Sequence, residues 1–159
     1  VLTELLVEAR KAKTAGEQSR YSEAELQSLL GEVYLLQGEN SRAVGAFEEA
    51  LNDSQLAMDY ATRARWGLAS ILAEEERYRQ ALHYAVTAFV LANDPDYTPR
   101  AMFLTVKILM EQGKTDEALT TWQELEQRFP SFAVQKKDNT VMKQLLSAGE
   151  NAAAKNVPE

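Results

Sequence analysis

Three alanines set the frame of this chain. Ala43 in SRAVGAFEEAL, Ala81 in YRQALHYAVTAF and Ala118 in TDEALTTWQEL stand 38 and 37 residues apart, and their neighbours recur with them. Four residues on come Phe47, Ala85 and Trp122; seven on come Ala50, Ala88 and Leu125. Upstream, Tyr34, Leu72 and Leu109 share one position, Gly31, Ala69 and Val106 a second, and Leu30, Leu68 and Thr105 a third. A period of this length signals a stacked array. One unit cannot cover its own apolar face, whereas stacked neighbours can.

Inside each unit the apolar residues recur at i, i+3, i+4 and i+7, the pattern of an amphipathic helix. Alanine, leucine, glutamate and glutamine are plentiful while valine and isoleucine are few, which favours helix over sheet. The expected helix pairs are 22–37 with 40–52, 58–75 with 78–92, and 98–112 with 115–129. Gly38 and Asn40 supply a stop and a restart, NDPDYTP a break after the second pair, and Gly113 and Pro130 the turn and end of the third. The repeats are therefore 22–55, 58–95 and 98–131 within a single domain, 1–159.

The flanks extend the pattern. One period before the first unit lie Leu5, Ala9 and Ala12, so residues 1–15 are expected to form the second helix of a truncated preceding unit. Residues 138–155, with Asp138 or Asn139 as cap and Val141, Met142, Leu145 and Leu146 on one face, suit a C-terminal capping helix. The expectation is about eight helices. A start at Val1 rather than methionine suggests a processed protein or an excised piece of a longer array, and exposed apolar array ends could stack into a homo-oligomer.

Gly31 lies inside a helix, where glycine costs about 1 kcal/mol against alanine. Its expected purpose is to let the second helix of the unit approach, with Phe47 and Ala50 nearby, so that Gly31→Leu should overpack the hairpin by about 1–3 kcal/mol.

Several chemistries are disfavoured. A net charge of −7 and a pI near 4.9 argue against nucleic acid and anionic membrane surfaces. Cysteine is absent, His83 is the only histidine, and no HExxH or paired-histidine spacing occurs. Ser28, Ser70 and Ser131 lack the GxSxG setting of an activated nucleophile. The EEER run at Glu74–Arg77 reads as a solvated turn, and NDPDY lacks the spaced ligands of a calcium loop. No apolar run is long enough to span a bilayer. The expectation is a non-enzyme without metal or cofactor, with a protein or peptide as partner.

The repeating residues resemble the tetratricopeptide repeat family. Leu30, Gly31, Tyr34, Ala43, Phe47 and Ala50 match its pattern in the first unit; Leu109, Ala118, Trp122 and Pro130 match it in the third. Thr105, Val106 and Ala85 depart from it, and the units exceed the family's usual ~34 residues. The resemblance implies an all-α, right-handed α-solenoid of antiparallel helix pairs acting as a non-catalytic protein–protein interaction scaffold. It also implies a groove along the first helices. Carried over position by position, the groove would be lined by Glu25, Ser28, Glu32 and Leu35, then Arg63, Trp66, Ser70 and Ala73, then Arg100, Phe103, Lys107 and Met110. The candidate partner site is Arg63, Trp66, Ser70, Arg100, Phe103, Lys107, Met110 and Glu32, an amphipathic stripe suited to a partially acidic peptide. Members that clamp a C-terminal carboxylate carry lysine and asparagine where this chain has Ser28 and Glu32, which speaks against that mode. EALTTWQELEQRFPSF is similar to repeats of bacterial cell-envelope and pilus-assembly proteins of the family, which favours the periplasm or envelope over the cytoplasm. A secretion-system chaperone holding an extended cargo segment is the alternative.

Overall fold

The structure, a computed structural model, describes residues 2–16 and 21–155, with the side chains of several residues in the two terminal helices outside that description, Ala9 and Ala12 among them. The regular elements of the described residues are all α-helices: α1 (Leu2–Ala15), α2 (Glu23–Leu36), α3 (Asn40–Leu51), α4 (Met58–Glu74), α5 (Tyr78–Leu91), α6 (Tyr97–Glu111), α7 (Thr115–Arg128), α8 (Pro130–Lys136) and α9 (Thr140–Lys155). Helices α2 and α3, α4 and α5, and α6 and α7 pack as hairpins. The first helices α2, α4 and α6 lie side by side, and α3 and α5 also pack on the first helix of the next pair, α4 and α6. At the ends, α1 packs on α2, α8 on α7, and α9 on α7 and α6.

The three hairpin turns are copies of one another. The Glu39, Arg77 and Lys114 N–H groups donate to the carbonyls of Tyr34, Leu72 and Leu109 at 2.9, 2.9 and 2.8 Å. These are the long hydrogen bonds of a Schellman turn, which needs a left-handed residue just past the helix. Gly38 (φ +74°) and Gly113 (φ +71°) meet that need without a Cβ, whereas Glu76 (φ +58°) fills the same position in the middle hairpin. The start of α2 is fixed by a capping box: Glu25 N–H donates to Ser22 Oγ and Ser22 N–H to the Glu25 carboxylate.

The recurring positions form the core. Ala43, Ala81 and Ala118 are fully buried, as are Ala50, Ala88 and Leu125, and Phe47, Ala85 and Trp122 are buried between them. The Phe47 ring is held between two backbones: a Cβ built on Gly31 of α2 would lie 2.5 Å from its Cδ1, and one on Gly67 of α4 would fall against Cε2 and Cζ. Gly31 therefore has the role expected of it, and Gly67 is its unforeseen counterpart across the ring.

The last expectation to change concerns Pro130. It ends α7, but it also opens α8, a further short helix beyond the eight expected. Proline suits the first helical turn because its φ is already helical and its missing N–H would have no partner there. Asn139 Oδ1 then accepts from the Val141 N–H at the start of α9, so Asn139 rather than Asp138 caps that helix.

Candidate interaction groove

Along one face of the first helices runs an alternating stack of rings and guanidinium groups, buried at Tyr97 and open at Arg100. Arg63 Cζ lies 5.4 Å from the Tyr60 ring centroid and 5.0 Å from that of Tyr97. Arg100 Cζ lies 5.3 Å from Tyr97 and 5.4 Å from Trp66, whose ring stands 5.5 Å from Tyr97. Such cation–ring contacts hold the long side chains in place. Tyr97 ties the stack to the first unit: its hydroxyl donates to Glu32 Oε1 at 2.6 Å, while Arg63 Nε sits 3.2 Å from Glu32 Oε2. Burial, and then the bond to Glu32, push the Tyr97 hydroxyl pKa upward, so it remains a donor through neutral and mildly alkaline pH.

Beyond this stack the groove opens into a cleft of about 640 Å³. Its walls include Trp66 and Ser70 from α4, Arg100, Phe103 and Lys107 from α6, and Phe132 and Lys136 from α8. The Phe103 ring stands edge-on to Phe132 at 6.3 Å and to Trp122 at 6.4 Å. Lys136 Nζ lies 5.2 Å from the Phe132 centroid and 5.8 Å from that of Phe103. Among the described residues, Arg100, Lys107 and Lys136 are not ion-paired with any carboxylate, Asp96 at the rim included. A second cleft of about 510 Å³ shares Trp66, Ser70 and Lys107 and continues toward Leu35 and Tyr78, so the groove runs on from α6 to the end of α2.

Five of the residues singled out in the sequence line the main cleft: Trp66, Ser70, Arg100, Phe103 and Lys107. Glu32 and Arg63 lie on the same face but are committed to each other and to Tyr97. Met110 lines neither cleft; it packs, half-buried, on the core shared by α6, α7 and α9. In the first unit, Ser28 is fully buried and donates to the Tyr60 carbonyl at 2.8 Å, and Glu25 belongs to the capping box, so neither faces a partner. Tyr97, Phe132 and Lys136 were not anticipated. Tyr97 carried a signal, because Tyr60-x2-Arg63-x2-Trp66 recurs one period later as Tyr97-x2-Arg100-x2-Phe103. Phe132 and Lys136 carried none once Pro130 was taken as an end. Elsewhere the described residues bring together no group of His, Cys, Asp or Glu that could hold a metal ion, and His83 stacks edge-on against Tyr84 at 5.6 Å. None of the described helices is long and apolar enough to cross a membrane.

Stacked helical hairpins with a ring-and-cation groove along their first helices define an α-solenoid repeat scaffold. Residues 100–131, from Arg100 in α6 through Pro130 and Ser131 in α8, match the family model described as tetratricopeptide repeat, and this match supports placing the chain in that family. Arg100, Phe103 and Lys107 lie inside the matched span. Tetratricopeptide repeats generally mediate protein–protein interaction. No curated protein and no solved structure matches the chain.

Proposed function

We propose that the chain is a non-catalytic protein–protein interaction scaffold that seats a partner segment in the cleft between α4, α6 and α8. The observation that carries this reading is the convergence of Trp66, Phe103 and Phe132 with three cations lacking carboxylate partners in one concavity. Large rings give apolar contact area, unpaired cations give specificity, and aromatic residues with arginine dominate binding energy at interfaces. The test is capture of interacting proteins by the full chain, identification by mass spectrometry, and calorimetry with the purified partner. Trp66→Ala and Lys107→Glu, checked for native melting, are expected to weaken binding roughly thirtyfold or more, about 2 kcal/mol. Unchanged affinity in both variants overturns the groove assignment.

A bacterial envelope or pilus-assembly setting is the finer reading, supported by the aromatic–Pro–Ser ending of α7, Phe129-Pro130-Ser131. A secretion chaperone would use the same cleft to hold an extended cargo segment, and stable one-to-one copurification with a single cargo distinguishes it. End-to-end self-association is the remaining partner proposal; a strict monomer in light scattering at high concentration excludes it.

A further inference from the structure

The repeat contains an internal comparison that points to what the cleft binds. In the first rung of the groove, α4 presents Arg63 and α2 presents Glu32, and the two pair at 3.2 Å. One period later α6 presents Arg100, the counterpart of Arg63, but α4 presents Ser70 where α2 has Glu32. Arg63 and Arg100 both lie against the Tyr97 ring, so the two guanidinium groups share that aromatic support; they differ in the carboxylate and in exposure, Arg63 being largely buried and Arg100 open to the cleft and solvent. Ser70 cannot replace it, because its hydroxyl donates back to the Trp66 carbonyl at 2.9 Å. The place that an acidic side chain fills in the first rung is open cleft in the second.

We infer that the cleft takes an acidic protein segment: an Asp or Glu side chain from the partner replaces the missing counterpart of Glu32 beside Ser70, Arg100 and Lys107, and an adjoining aromatic or aliphatic side chain packs on Phe103 and Phe132 under Lys136. This inference rests on the groove reading and names the partner's chemistry. Charge complementarity selects the occupant. The chain as a whole carries a net charge of −7, so an acidic segment is repelled by most of the surface and attracted where cations stand without internal partners. The wall formed by α8 contributes the third cation and the third ring, which makes α8 a specificity element rather than only a terminator.

The test uses two labelled, end-blocked peptides that differ only in charge, one with a Glu-Phe-Glu-Leu core and one with Gln-Phe-Gln-Leu, titrated against the full chain by fluorescence anisotropy. The acidic peptide is expected to bind at least ~10-fold more tightly, with affinity falling as salt rises. Lys136→Gln should weaken it severalfold and flatten the salt dependence, while Lys114→Gln, outside the cleft, should not. Ser70→Glu, which restores the internal carboxylate, should abolish acidic-peptide binding with the melting temperature maintained. Equal binding of the two peptides, no binding of either at about 1 mM, or full binding by Lys136→Gln overturns the inference. If both peptides bind alike and both are lost in Trp66→Ala, the preference for acid fails while the groove stands. If the natural partner ignores Trp66→Ala and Lys107→Glu, the groove reading itself fails.

Discussion

Adding one methyl group at Gly31 tests the packing logic most directly. In an ordinary helix interior, Gly→Ala gains about 1 kcal/mol. At Gly31 the new Cβ would lie 2.5 and 2.6 Å from Cδ1 and Cε1 of Phe47, more than an ångström inside a normal carbon–carbon contact of about 3.5–4.0 Å. The ring cannot withdraw, because its opposite edge already lies against the backbone of Gly67. Overpacking should therefore reach the upper part of its usual cost, about 3 kcal/mol, leaving a net loss of about 2 kcal/mol and a fall in Tm of roughly 4–8 °C. Gly45 provides the control: it is also helical, on α3 two residues before Phe47, and a Cβ there meets nothing within 4 Å. Gly45→Ala should raise Tm by a few degrees. Thermal unfolding followed by circular dichroism reads both signs. Phe47→Leu combined with Gly31→Ala should cost less than the two changes summed, since the smaller side chain yields the contested space. If Gly31→Ala and Gly45→Ala shift Tm in the same direction, the account of Gly31 as a close-approach residue is wrong.

Two further outcomes follow from single geometries. Glu76→Gly relieves the only left-handed non-glycine residue among those described and should stabilise the middle hairpin by about 0.5–1 kcal/mol in denaturant titration, with destabilisation as the contrary result. Tyr97→Phe removes the hydroxyl donated to Glu32 and should cost about 1–2 kcal/mol at neutral pH. The Tyr97 pKa is raised in the folded state, so its stabilisation is complete below the ordinary tyrosine value of about 10 and is lost as pH climbs through the higher folded value. Wild type should therefore lose stability above about pH 10 more steeply than the Phe variant, and parallel curves would refute the linkage.

The architecture was legible because its determinants are local and repeated. Ala43, Ala81 and Ala118 announce close helix approach by being small at a fixed period, and all three are fully buried. The turns were equally plain where glycine marks them, at Gly38 and Gly113. The groove was legible only in part, because a residue's place on a helix does not say what its neighbours do with it. Arg63 and Arg100 occupy equivalent positions, yet one is paired and the other is not, and the difference lies in Glu32 and Ser70 on other helices. Met110 shares a stripe with Phe103 by spacing, but it packs, half-buried, against the neighbouring core and lines neither cleft. NDPDY was read as a break after α5, and it is also a start: Asp94 Oδ1 accepts from the Asp96 and Tyr97 N–H groups at 2.9 and 2.7 Å and launches α6 with Tyr97 in its first turn. Pro130 carries the same double meaning. Punctuation residues locate a boundary without saying what lies beyond it.

Once the packing positions repeat, the differences between units acquire meaning of their own. The groove position held by Glu32 becomes Ser70 and then Lys107; the position held by Glu25 becomes Arg63 and then Arg100. Charge along the first helices thus runs from acidic at α2 to basic at α6, and Lys136 of α8 adds to the basic end. At the acidic end the carboxylates have internal partners, Glu25 in the capping box and Glu32 on Arg63 and Tyr97. At the basic end it does not. Screening confines these fields to about 8 Å at physiological salt, so a bound segment would sense each end separately. Its acidic residues would be drawn to the α6–α8 end and discouraged near α2. The uniform part of the repeat builds a packed surface, and its non-uniform part gives that surface a direction.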